Sequence, residues 1–105
     1  MSKWSGKMLD TLNYEAYAEH LNTKFQLTEI GVEIELVEIL EKITTSEQEM
    51  FSLIFCGSKD SFLEQKIYQI QHEKLGDGGL FLVPIALDAN GYKYEAGFNR
   101  LVNNQ

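Results

Sequence analysis

The chain is poor in the residues that usually announce chemistry. Its 105 residues hold one cysteine (Cys56), one proline (Pro84), one tryptophan (Trp4) and two histidines, His20 and His72. A single cysteine excludes an intramolecular disulfide and every multi-cysteine zinc pattern. Long apolar runs are missing too. None approaches the ~20 residues that a membrane helix needs. Met1 to Met8 contains no apolar segment of the kind a secretory signal requires. With no disulfide and no signal, the expected location is the cytoplasm, or a particle assembled from it. Positive charge is scarce: nine Lys and Arg face sixteen Asp and Glu, for a net charge of -7. Nucleic acids and anionic membranes are bound through clustered Lys and Arg, so neither is an expected partner.

The negative charge is local. Residues 10–50 hold ten acids against Lys24 and Lys42, whereas residues 51–105 hold six acids against five bases. Two readings follow: a solvated acidic face that keeps the chain soluble, or a docking surface for a basic partner. The hydrophobic fraction of 44% suits one globular domain and excludes a disordered chain. The expected organisation is a flexible tail over residues 1–10, one β-rich domain over 11–102, and a short tail over 103–105.

Asn13 is placed to cap a helix in which Tyr14, Tyr17, Ala18 and Leu21 share a face. Phe25 and Leu27 alternate with polar residues, as in a short strand. The segment Val32–Ile43 fits both periods. Its β-branched residues favour a strand, with a phase slip at Leu36-Val37 that a β-bulge would absorb. Met50–Cys56 reads as a buried strand. Lys66–His72 alternates, with Tyr68, Ile70 and His72 on one side. Gly76-Asp77-Gly78-Gly79 reads as a turn. Leu80–Leu87 is an apolar strand, and Pro84 puts it at an edge or bends it. Asn90-Gly91 predicts a two-residue hairpin turn into Tyr92–Phe98. Together these elements predict a mainly β fold: a small antiparallel barrel or sandwich with one short N-terminal helix.

The stock of catalytic groups is thin. His20 lies at a helix end, where its partial positive charge suits the dipole. His72 ends a strand before a loop, and is either a general base or a turn cap. Cys56 with His72 is the one thiolate–imidazole pairing the chain allows, yet no basic cluster adjoins Cys56 to activate it. His72 with Tyr68 and Tyr94 would be the centre of a small-molecule barrel or a small enzyme. Asp88, Asn90 and Tyr92 start like a calcium loop but lack its downstream Glu. Neither a metal nor a cofactor is expected. Trp4 lies among polar residues, where a lone indole would anchor a partner. Leu80 and Leu82, on a strand marked as an edge, are the other candidate partner contacts.

Five blocks then combine: Phe51-Ser52-Leu53-Ile54-Phe55, Ile67–His72, Leu75-Gly76, Leu80–Ile85 and Tyr94–Asn99. Their arrangement, F-S-L-x-F … Y-x-x-x-H-x-x-L-G … L-F-L-V-P … Y-E-A-x-F-N, resembles a family of small bacterial domains of unknown function. Some members resemble companions of phage-tail-collar-like proteins. The resemblance brings no catalytic residue. It implies a structural or assembly role, with a protein partner or self-association.

Overall fold

The computed structural model describes Leu9 and residues 12–101. The elements are α1 (Tyr14–Ala18), β1 (Lys24–Leu27), β2 (Val32–Thr44), β3 (Gln48–Gly57), β4 (Lys66–His72), β5 (Gly76–Asp88) and β6 (Gly91–Leu101). All paired strands are antiparallel and close into a barrel in the order β1-β2-β3-β6-β5-β4. Of the two β architectures expected, the barrel is the one formed. No helix among the described residues is long and apolar enough to cross a membrane.

The ambiguous segment is a strand, and it carries the anticipated slip. Leu36 pairs with Phe55 and Glu38 with Ile54, leaving Val37 as the extra residue of a bulge. The bulge resets the alternation so that Ile39 packs against the core. A helix here would strip β3 of its partner on that side and leave its backbone amides and carbonyls unpaired. β3 is the most buried strand: Phe51, Leu53 and Phe55 point inward, and the outward Ser52 and Ile54 are buried as well.

Alternation fills the interior. Phe25, Leu27, Ile34, Leu36, Tyr68, Ile70, Leu80, Leu82, Tyr94 and Ala96 join the β3 aromatics in one core. Leu9 belongs to that core and is fully buried. The Tyr17 hydroxyl donates to the Leu9 carbonyl, so the packed unit reaches into the stretch read as a tail. Residues 1–8, with Trp4, and residues 103–105 lie outside the described residues.

The helix is capped as expected, Asn13 Oδ1 accepting from the Ala16 N–H at 2.9 Å. It stops at Ala18, however, and Leu21 is exposed. Asn22 sits at φ 68°, in the left-handed region that asparagine tolerates, and the chain then enters β1. A helix this short has no stability of its own. It is held by rings: Tyr17 lies 6.2 Å from Phe51 and 5.7 Å from Phe98.

Two turns differ from expectation. Gly76-Asp77-Gly78-Gly79 is the start of β5, pairing with His72, Gln71, Ile70 and Gln69. Composition suggested a turn, but the reversal lies at Glu73–Leu75, and a Cβ at Gly79 would crowd Ile67 at 3.1 Å. In the β5–β6 hairpin Asp88 pairs with Gly91, so the turn residues are Ala89 and Asn90. Neither has positive φ, and the turn is not primed. The positive φ falls on Gly91, following the pattern in which a glycine bulge relieves an unprimed turn. Asp88 accepts from the Asn90 N–H at 2.8 Å and pairs with Lys93 at 2.6 Å, which fixes the reversal.

Pro84 neither ends the strand nor opens the sheet. It pairs with Tyr94, and the ladder then shifts so that Ile85 is the extra residue before Ala86 pairs with Lys93. The bend swings β5 from β4, its partner up to Leu82, to β6, its partner from Val83 onward.

Candidate functional site

His72 is set by the end of β4 and by the turn after it. Its Nδ1 accepts from the backbone N–H groups of Lys74 and Leu75 at 3.0 and 3.1 Å. Its Nε2 lies 2.9 Å from Thr23 Oγ1. That hydroxyl donates to the His20 carbonyl at 2.6 Å, so its proton is already used. Nε2 therefore carries the imidazole hydrogen and donates to Thr23. The ring is a neutral imidazole with both nitrogens engaged. It tilts over Phe25 at 4.5 Å and meets the His20 ring edge-on at 5.1 Å. His20 Nδ1 lies 3.1 Å from the Ala16 carbonyl, at the helix end where the sequence placed it.

Burial pushes the His72 pKa below the ordinary histidine value; the His20 and Lys74 charges add to this and Glu73 opposes it. A general base needs an available lone pair, and the one on Nδ1 is shared by two amides. The arrangement holds the β4–β5 turn together. It also predicts a pH dependence. The unfolded chain takes up a proton at His72 near about pH 6.5, while the folded chain does so only at lower pH. Stability from this group is complete above the unfolded value and declines as pH falls toward the folded one. The urea midpoint is expected to drop between about pH 7.5 and about pH 5.5, and to drop less in His72→Gln. An equal drop in both proteins would detach the effect from His72.

A cleft of about 540 Å³ adjoins this histidine, lined by His20, Thr23, Lys24, Gln71 and Lys74 among others. Tyr68 and Tyr94 do not line it. Both are buried and tie down the crossing between β3 and β4. The Tyr68 hydroxyl donates to the Glu64 carbonyl at 2.6 Å, and Tyr94 Oη accepts from the Leu63 N–H at 2.9 Å. Burial raises the pKa of both phenols, with the Glu64 charge adding to the rise at Tyr68. The structure does not gather His72, Tyr68 and Tyr94 around one cleft.

Cys56 is equally apart from His72. It sits in register between Glu35 and Lys93 on the outer face, whereas His72 faces inward with Tyr68 and Ile70. Its thiol points to the Asn90 carbonyl at 3.5 Å. Lys93, one strand away, is held by Asp88, whose hydrogen bond raises the lysine pKa and lowers that of the carboxyl. Among the described residues no group of three or more His, Cys, Asp or Glu could hold a metal ion.

The expected partner contacts need correction. Leu80 and Leu82 are 3% and 0% exposed, because their positions in β5 point into the barrel. The apolar residue presented outward between them is Phe81, 49% exposed, beside Ile67, 62% exposed, its partner on β4. These two belong to a row across the outside of the barrel. Leu40 on β2 lies opposite Ser52 on β3, and Ser52 opposite Gly97 on β6. Gly97 and Phe81 then face each other across a cleft of about 270 Å³ where β5 and β6 splay apart. Small residues floor the row, and Leu40, Phe81 and Ile67 wall it. Ile43 and Met50 extend its apolar character on the next register row. The signal was present in the sequence: Ile67 is the apolar member of a face otherwise made of Gln69 and Gln71.

The sequence matches one family over most of its length. The pattern of DUF6916, a domain of unknown function, covers residues 12–98. The chain belongs to the DUF6916 family. No curated protein and no solved structure matches it. The DUF6916 match begins at Leu12, before the helix, and ends at Phe98 in β6, so it takes in every strand of the barrel.

Proposed function

We propose that this DUF6916 domain is a non-catalytic binding or assembly module that acts through a protein partner or by self-association. The observation that carries the reading is the outer apolar row, in which Phe81 and Ile67 stand side by side in water. Exposed apolar patches on small domains mark interaction surfaces. The engaged nitrogens of His72 support the same reading, since they leave the strongest candidate base with a structural task. A place in a phage-tail-like or other multi-protein particle, built from the cytoplasm, is what the family resemblance adds.

The alternative is a small-molecule site, and the observation that favours it is the cleft beside His20 and His72, whose 540 Å³ falls within the usual range for ligand pockets. Cross-linking in the native cell, followed by light scattering of the purified complex, separates the two. A stoichiometric protein complex is expected. A monomer that cross-links to nothing, and that a small molecule stabilises through the His20–His72 cleft, would replace this reading with the alternative. A Leu82→Lys variant is unsuitable as a surface probe, because it would bury a charge in the core. Phe81→Ser alters the surface alone.

A further inference from the structure

We infer that His72 is a proton-operated latch on the β4–β5 turn: a proton on Nδ1 releases the turn and opens one wall of the cleft beside it, while the barrel stays closed. The turn is Glu73–Leu75. The amides of Lys74 and Leu75 have no backbone acceptor among the described residues. Both donate to the one lone pair of His72 Nδ1, at 3.0 and 3.1 Å. The ring thus copies the side-chain oxygen of an Asx turn, which accepts from an amide two residues on. The difference is that an imidazole nitrogen takes a proton, and then donates where it had accepted.

The two ring nitrogens answer that change differently. Nε2 donates to Thr23 in the neutral and in the charged ring, so the tie to the start of β1 is kept. At Nδ1 the buried Leu75 N–H would face another donor, which a fold tolerates only by moving one of them. The Leu75 side chain is 2% exposed and anchors the far end of the turn in the core. Glu73 and Lys74 are exposed, and both line the cleft of about 540 Å³, so they are the residues set free. The barrel has support that does not titrate. β4 pairs with β5 from Lys66 to His72, and with β1 at Gln26–Gln71 and Leu27–Ile70, through backbone groups.

The surrounding charges set where the latch works. Burial disfavours the imidazolium; the His20 charge adds to this, Glu73 opposes it and Lys74 adds again. Lys24 of β1 and Glu33 of β2 also line the cleft, and Lys24 lies 4.0 Å from Glu33 and 3.7 Å from Glu35, so these charges offset one another. Asp77 of β5 is paired with Gln71 and lies on the outer face. The latch is therefore shut at neutral pH and opens only below the ordinary histidine value of about 6.5.

The test is two-dimensional NMR of the full chain between about pH 7.5 and about pH 4.5, with the ring nitrogens labelled. The chain has two histidines, so His20→Asn assigns both rings. Hydrogen exchange of the Lys74 and Leu75 amides, corrected for its intrinsic pH dependence, should quicken about ten-fold as the His72 ring titrates, the scale of one buried hydrogen bond. The amides of Leu53, Phe55 and Ile70 should stay protected over the same range. His72→Asn keeps an acceptor for the two amides but takes no proton, so its turn should stay protected throughout. In His20→Asn the release should persist and move to higher pH, because a like charge is gone.

Turn amides that stay protected after the His72 ring has titrated would overturn the latch. So would loss of protection at Leu53 together with the turn, which is unfolding of the barrel. An unchanged acid response in His72→Asn, or its disappearance in His20→Asn, would assign the response to another group and overturn it as well.

Discussion

Gly91→Ala should destabilise the domain by about 2–6 kcal/mol, the sum of a strained backbone and a steric overlap of about 1–3 kcal/mol each. Gly91 holds φ +134°, a conformation that side chains rarely adopt. An added Cβ would also lie 2.0 Å from the Gly57 carbonyl oxygen. That neighbour is backbone at the end of β3 and cannot rotate away. Relief requires β3 and β6 to separate at the end where Gly57 pairs with Tyr92. Since a domain of this kind has only about 5–15 kcal/mol of stability, the substitution would remove a large share of it. Urea denaturation followed by circular dichroism measures the loss. A change below about 0.5 kcal/mol, the level of a neutral surface substitution, would show that the hairpin has another geometry.

Phe51→Ala is expected to cost about 3–5 kcal/mol, the range for a large buried aromatic. Phe51 is 1% exposed and stacks on Phe98 with ring centres 4.7 Å apart and planes 6° from parallel. Tyr14 meets it edge-on at 6.0 Å, and Tyr17 leans on it at 6.2 Å. One side chain thus joins β3, β6 and the helix. Removing it leaves a cavity and takes away the ring on which both Tyr14 and Tyr17 of the helix rest. Near-ultraviolet dichroism, which reports fixed aromatic packing, should fall alongside the thermal midpoint. An unchanged near-ultraviolet signal would mean that the helix is held by other contacts.

The elements of the barrel were legible because strand periodicity is local. Tyr68, Ile70 and His72 alternate with Ile67, Gln69 and Gln71, and the burial pattern follows that alternation. The bulge at Val37 was visible as a break in phase. Where local composition pointed the wrong way, a long-range neighbour decided the matter. Gly76–Gly79 looked like a turn until β4 was there to pair with it. The helix signal ran to Leu21, but the chain reverses at Asn22 to reach β1.

The sequence by itself determined the β class, the excess of negative charge, the lack of a disulfide, and which side of most strands faces inward. Each of these follows from composition or from a repeat of two residues, and neither depends on what lies across the sheet. Tertiary structure alone decided the rest. Closure into a barrel depends on β1 finding β4, at Gln26–Gln71 and Leu27–Ile70. The role of His72 depends on Thr23, 49 residues away, and on two amides of its own turn. Leu80 became core, and Phe81 surface, because register with β4 sets Leu80 opposite the inward Tyr68 and Phe81 opposite the outward Ile67. The outer row exists because pairing brings Leu40, Ser52 and Gly97 abreast and sets Phe81 across the cleft from them. Distance along the chain carries no information about such neighbours; hydrogen-bonded register does.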